Sequence, residues 1–223
     1  MTDRYADAPR PAYRLIPSRF PPIGLFDTVA TAADLNAVME LAGWTNDRLV
    51  THRIARLPQS EWVYGRPNAS IVMASFLHVS PMGMRFNGPE LGAWYAAARI
   101  ETAIVEVAHH LRREAADRSS ARVERTYRAY TCALAGSYLD ISGEQTARPE
   151  LYASASYAAS QSFGEAVRAS GGHGIIYDSL RHAGGVNVVG YRPTNVLEVT
   201  QADHLAVAVE ASSKRIEARR LAR

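Results

Sequence analysis

Arg85-Phe86-Asn87-Gly88-Pro89-Glu90-Leu91-Gly92-Ala93-Trp94-Tyr95-Ala96-Ala97-Ala98-Arg99-Ile100-Glu101-Thr102-Ala103-Ile104-Val105-Glu106-Val107-Ala108-His109-His110 reads as loop, strand, turn and helix. Asn87-Gly88-Pro89 and Gly92 break the chain before a short apolar run, Ala93 to Ala97, which fits a strand. The period then changes. Ile100, Ala103, Ile104, Val107 and Ala108 recur at helical spacing and form one apolar stripe. Glu106 lies beside that stripe, too far into the helix to serve its N-terminal dipole. A carboxylate near an apolar face needs a partner or a task. Arg85 and Tyr95 are the nearest upstream candidates. The plain alternative is a structural ion pair beside a packed ring.

The totals narrow the class. A chain of 223 residues, 47% hydrophobic and 21% charged, fits one folded domain with extensions. No apolar run approaches the length of a membrane span, and the polar start Met1-Thr2-Asp3-Arg4-Tyr5 is unlike a signal peptide. Cys132 is the only cysteine, so an intrachain disulfide and a Cys₄ or Cys₂His₂ zinc site are excluded, and a reducing, cytoplasmic setting is expected. The net charge of +3 is too mild to argue for nucleic-acid binding. Nearly all cations are arginines, with Lys214 the only lysine. Arginine suits bidentate phosphate recognition, although genome composition also favours it.

On either side of the central stretch the chain divides as follows. Residues 1–11 read as a flexible arm. Ala12 to Ile16 alternates as a strand that Pro17 and Pro21-Pro22 stop, and Arg14 and Arg19 are candidate anion ligands near it. Residues 23–84 read as a helical insertion. Thr31 with Asp34 is an N-capping pattern. Leu35, Val38, Met39 and Ala42 give a helical face with a stop at Gly43. Asn46 caps a second helix through Arg56. Ser70 to Val79 fits a third, with His78 structural at its end. Beyond His110, Val123 to Leu134 and Tyr138 to Ile141 read as strands. Cys132 is a small core residue there. Tyr157 to Ala169 reads as a helix ended by Gly171-Gly172. A buried strand follows and carries Asp178 and Ser179 at its end. Val186 to Tyr191 and Val196 to Val199 are further strands. Residues 204–223 read as a basic C-terminal segment, helical from Glu210.

In this order, Tyr157-Ala-Ala-Ser-Gln-Ser-Phe-Gly164, Gly174-Ile-Ile-Tyr-Asp-Ser-Leu-Arg181 and Gly184-Gly185 resemble the RES-domain family, named for an arginine, a glutamate and a serine. Its members are toxins of RES–Xre toxin–antitoxin systems. The opening Tyr13-Arg-Leu-Ile-Pro-Ser-Arg-Phe-Pro-Pro22 resembles the longer subgroup. By this resemblance Arg85, Glu106 and Ser179 are the catalytic residues, and Tyr95 and Arg14 are candidates for binding NAD⁺; Arg19, as an anion ligand near Arg14, and Ser160 are further candidates for it. Phe86 stands where many members have tryptophan, and Ser160 competes with Ser179 for the serine role.

The resemblance implies an α/β or α+β fold like that of ADP-ribosyltransferases, with the RES domain over 12–203, and an enzyme that breaks down NAD⁺. NAD⁺ is then a substrate, with inorganic phosphate as co-substrate; no cofactor and no metal are implied. Oxocarbenium-like charge builds on the ribose as nicotinamide leaves, and a carboxylate such as Glu106 stabilises it. Arginines bind phosphate through paired N–H donors, and Tyr95 packs on a ring face. The absence of Gly-x-Gly-x-x-Gly counts against redox use of NAD⁺. Phosphorolysis to ADP-ribose-1″-phosphate leads hydrolysis. Protein ADP-ribosylation is one rival, and a non-enzymatic binding module built on the basic terminus is another. A metal hydrolase on His109, His110 and Glu106 lacks the His-Glu-x-x-His spacing. The expected partner is an Xre-type helix-turn-helix antitoxin; a homodimer is left open, and neither membrane nor direct nucleic-acid contact is expected.

Overall fold

The computed structural model describes residues 3–20, 24, 26–31, 33–35, 37 and 51–222. Among them, nine strands form one sheet in the order β1-β5-β6-β7-β3-β2-β4-β8-β9. These are β1 (Tyr5–Asp7), β2 (Ala12–Pro17), β3 (Trp94–Ala97), β4 (Arg122–Leu134), β5 (Ser137–Asp140), β6 (Gly174–Asp178), β7 (Val186–Gly190), β8 (Val196–Glu210) and β9 (Ile216–Arg220). All pairs are antiparallel except β5 with β6. The helices are α1 (Thr51–Ile54), α2 (Ala69–Leu77), α3 (Ile100–Asp117) and α4 (Ala158–Ala169). The class is mixed α+β, as expected from the sequence.

Strand alternation sorts the side chains onto two faces. Trp94 and Ala96 of β3, Cys132 of β4 and Val188 of β7 pack with Val72, Met73 and Phe76 of α2. From the other face Tyr95, Tyr177 and Val189 join Phe86, Tyr191 and Phe163 of α4. Farther along, Leu15, Tyr127, Val207 and Val209 receive Ile104, Val107, Ala108 and Leu111 of α3. α3 is amphipathic. Its apolar stripe faces β4 and β8, and the neighbouring face, with Glu106, is left for the site.

Two expectations are corrected. In the described part of the expected arm, residues 3–11 are not loose: β1 pairs with β5, Tyr5 opposite Leu139, and Arg4 ion-pairs with Asp140. An open edge of β5 offers unpaired backbone groups, and Tyr5-Ala6-Asp7 satisfies them. Among the described residues the C-terminal segment, 204–222, is not helical. β8 runs through Glu210, far past Val199, and β9 returns antiparallel beside it. Leu205, Val207 and Val209 alternate at period two and share one face only in a strand, from which Val207 and Val209 pack with α3. Thr31 caps as expected, its Oγ1 accepting from the Asp34 N–H at 3.1 Å. The helical face through Val38, Met39 and Ala42, its stop at Gly43, and the cap at Asn46 lie outside the described residues.

Candidate active site

The segment from Met82 to Gly92 is shaped by one face of α4. Gln161 donates to the carbonyls of Met82 and Met84 at 2.8 and 2.9 Å. Glu165 Oε1 accepts the Gly88 N–H at 2.9 Å, and Arg168 donates to Leu91 and Gly92 carbonyls at 3.1 and 2.8 Å. Positions 161, 164, 165 and 168 share a helix face by spacing. Gly164 lets that face touch the segment, because a Cβ there would stand 2.0 Å from the Phe86 carbonyl oxygen. Tyr95 fastens the segment from below. Its hydroxyl donates to Asn87 Oδ1 at 2.7 Å and accepts the Phe86 N–H at 3.0 Å.

Arg85 is thereby fixed. Its Nη1 donates to the carbonyls of Leu151 and Ala153, both at 3.1 Å, and its guanidinium lies 4.7 Å from the Tyr157 ring centre. The partner of Glu106 is not Arg85. Glu106 Oε1 accepts from Ser179 Oγ at 2.7 Å and from Asn187 Nδ2 at 2.8 Å. Ser179 Oγ in turn accepts the N–H groups of Arg181 and His182 at 3.1 and 3.0 Å. Its one hydroxyl proton therefore goes to Glu106, and its lone pairs go to the turn after β6. Ser179 and Asn187 are both buried. Two neutral donors thus hold one carboxylate oxygen, and Oε2 takes no hydrogen bond from the described residues.

A cavity of about 630 Å³ opens over these groups, within the usual range of about 300–1,000 Å³ for small-molecule sites. Arg85, Tyr95, Glu106, Tyr157, Tyr177 and Asn187 line it. So do Arg14, Arg113 and Arg181, with His109 and His110. None of these four arginines pairs with a carboxylate among the described residues, whereas Arg148, Arg168 and Arg192 elsewhere do. Burial lowers the Arg14 pKa to about 10, which leaves it protonated near neutrality. The same cause, with the charge of Arg181 next, pushes His109 down to about 4. The Tyr177 hydroxyl is pushed well above its ordinary range by burial.

The sequence-derived candidates divide accordingly. Arg85, Tyr95, Glu106 and Ser179 are brought together, though the Tyr95 hydroxyl is spent on the Arg85 segment. Arg14 reaches the cavity at the seam where β2 meets β3 through Tyr13 and Ala97 alone. It donates to the Tyr95 carbonyl at 2.8 Å and stacks 4.7 Å from the Trp94 ring centre. Arg19 is not part of the constellation: it is exposed, packs 4.9 Å from the Phe20 ring centre, and does not line the cavity. Ser160 is fully buried in α4 and donates to its own helix at the Tyr157 carbonyl, 3.1 Å away. Sequence reasoning missed Asn187, Tyr157 and Tyr177. For Asn187 a signal was present, since a polar residue inside Val186-Asn187-Val188-Val189 must find a partner once buried.

No helix among the described residues is long and apolar enough to cross a membrane. Comparison with curated proteins gives no match. Among solved structures, the crystal structure of the M. tuberculosis MbcT–MbcA toxin–antitoxin complex is similar at 20% identity and a TM-score of 0.42, over 59% of this chain and 74% of that one. The family profile described as RES domain matches residues 51–210, a span holding Arg85, Tyr95, Glu106, Ser179 and Asn187. The chain belongs to the RES domain family.

Proposed function

We propose that this chain is the toxin of a toxin–antitoxin pair, and that it binds NAD⁺ in the cavity and cleaves the nicotinamide–ribose bond by phosphorolysis. Its partner is then an antitoxin, of the Xre helix-turn-helix type by family. The observation that carries the reading is the Glu106 carboxylate. It stands in a cavity of uncompensated arginines, oriented by neutral donors on one oxygen, with the other oxygen open. A carboxylate held by a cation would have its charge spent. This one keeps it for a developing positive charge.

The chemistry follows. The C1″–N bond breaks with its electron pair going to the pyridinium nitrogen, so nicotinamide departs neutral and needs no proton. Positive charge grows on C1″ and its ring oxygen, and Glu106 stabilises it. Ser179 and Asn187 hold Glu106 in place. Arg85, rigid on its two carbonyls and Tyr157, keeps further N–H donors for a phosphate of the dinucleotide. Hydrogen phosphate then bonds C1″ through oxygen, giving ADP-ribose-1″-phosphate and releasing one proton.

Glu106→Gln tests the assignment. Glutamine keeps an oxygen for the Ser179 and Asn187 donors but carries no charge. Removing such an electrostatic group costs about 10²–10³ in rate. Nicotinamide release should fall by that factor at unchanged Tm. A variant that melts early yet keeps its turnover per folded molecule would return Glu106 to a structural role. Label transfer from NAD⁺ to protein in place of a small product would favour ADP-ribosylation.

A further inference from the structure

Glu106, His109, His110 and Arg113 occupy one face of α3 by spacing, and all four line the cavity. Arg181 approaches the same face from the turn after β6. The positive charges of Arg181 and Arg113 reach both imidazoles, and the Glu106 carboxylate opposes them; Asp178 also lines the cavity. Arg14 and Arg85 are already anchored by carbonyls and rings. Arg113 and Arg181 are different: neither side chain forms a hydrogen bond or ion pair among the described residues, and the Arg181 Nε is buried without a partner. The buried Arg181 Nε–H without an acceptor is costly, and the exposed Arg113 adds a second positive charge acting on the same two imidazoles. An anion would satisfy both.

We propose that Arg181 and Arg113, with His109 and His110 between them, form a second subsite in the cavity for a phosphate group. It is separate from the Arg85 and Arg14 positions. The subsite rests on the reading of the cavity as an NAD⁺ site for its role, but not for its existence. The phosphate is either the free inorganic acceptor or one carried on the dinucleotide. His109, kept neutral by burial and the charge of Arg181, can donate one N–H or become protonated once an anion offsets the arginines.

The test uses the full chain and two probes, inorganic phosphate and ADP-ribose, with histidine titration followed by NMR. An upward move of the His109 titration with either probe, abolished in Arg181→Gln, supports the subsite. His204, bonded to Ser18 at 2.6 Å, and His173, bonded at Ser137, do not line the cavity, and their resonances report that the fold is intact. The responding probe names the source. In turnover, Arg181→Gln and Arg113→Gln should each raise a KM by about tenfold, the loss of one charge-assisted contact. A rise confined to phosphate assigns the acceptor, and a rise confined to NAD⁺ assigns the dinucleotide. If neither probe moves His109 in the folded wild-type chain, the subsite does not exist, whatever the chain does to NAD⁺. If phosphate moves it but NAD⁺ stays intact, the subsite stands and the cleavage reading fails.

Discussion

At the scale of single residues, the two serines expected to compete have different jobs. Ser179→Ala removes the donor to Glu106 and leaves the Arg181 and His182 N–H groups without their acceptor. Stability should fall by about 1–3 kcal/mol, and turnover per folded molecule should fall too. Ser160→Ala loses one bond within α4, so about 1 kcal/mol of stability should go while turnover holds. Melting curves and turnover measured together check both; equal losses of turnover would contradict the assignment. That Ser179 and Glu106 share one site was legible only through resemblance, and their hydrogen bond was not foreseen, since they lie on different elements 73 positions apart. The alternative reading, an ion pair of Arg85 with Glu106, fails for the same physical reason. The acceptors that take Arg85 are the carbonyls of Leu151 and Ala153, and no local pattern marks a backbone carbonyl as an arginine's partner. Tyr95 was read as a packed ring, and its hydroxyl proves to be a fastener of the segment above it.

At the scale of elements, the α4 face of Gln161, Gly164, Glu165 and Arg168 is what turns a glycine-containing loop into a rigid support for Arg85. Gly164→Ala should therefore act on both fold and site. Its Cβ would meet the Phe86 carbonyl oxygen at 2.0 Å and the Tyr191 hydroxyl at 2.5 Å. Overpacking of this kind costs about 1–3 kcal/mol, and the displaced segment carries Arg85 with it. A lower Tm with lower turnover per folded molecule is expected; full turnover in the folded fraction would show that α4 does not set the position of Arg85. Most elements were readable in advance because their periods are clean, as in α3 and in Val186 to Gly190. The C-terminal strand was not. Lys214-Arg215-Ile216-Glu217-Ala218-Arg219-Arg220 is rich in good helix formers, yet β8 leaves an edge to be paired. Arg122 with Glu217 and Arg219 with Glu124 then tie β9 across to β4 at 3.0 and 2.9 Å. Edge pairing is a tertiary demand that outweighs propensity.

At the scale of the whole molecule, the sheet separates two tasks. The α2 face is an apolar core built on Trp94, Tyr138 and Phe76, and the cavity opens beside α3 and the Arg85 segment. A cationic cavity has a consequence for acid stability. An unfolded imidazole takes its proton near 6.5, while folded His109 resists protonation down to about 4. Between those values the unfolded chain binds more protons, so stability rises with pH across the window and is lost on acidification. His109→Gln should flatten that part of the stability curve; an unchanged slope would show that His109 does not titrate as its burial and then the charge of Arg181 require. The family and the mixed fold were legible from ordered motifs, but the number of arginines meeting at one cavity was not, because they come from β2, the Arg85 loop, α3 and the turn after β6. The central claim is that these charges and Glu106 serve cleavage of NAD⁺. The most direct measurement incubates the purified, folded chain with NAD⁺ and inorganic phosphate and identifies the products. The account predicts nicotinamide and ADP-ribose-1″-phosphate in equal amounts. NAD⁺ recovered intact from folded protein would contradict it.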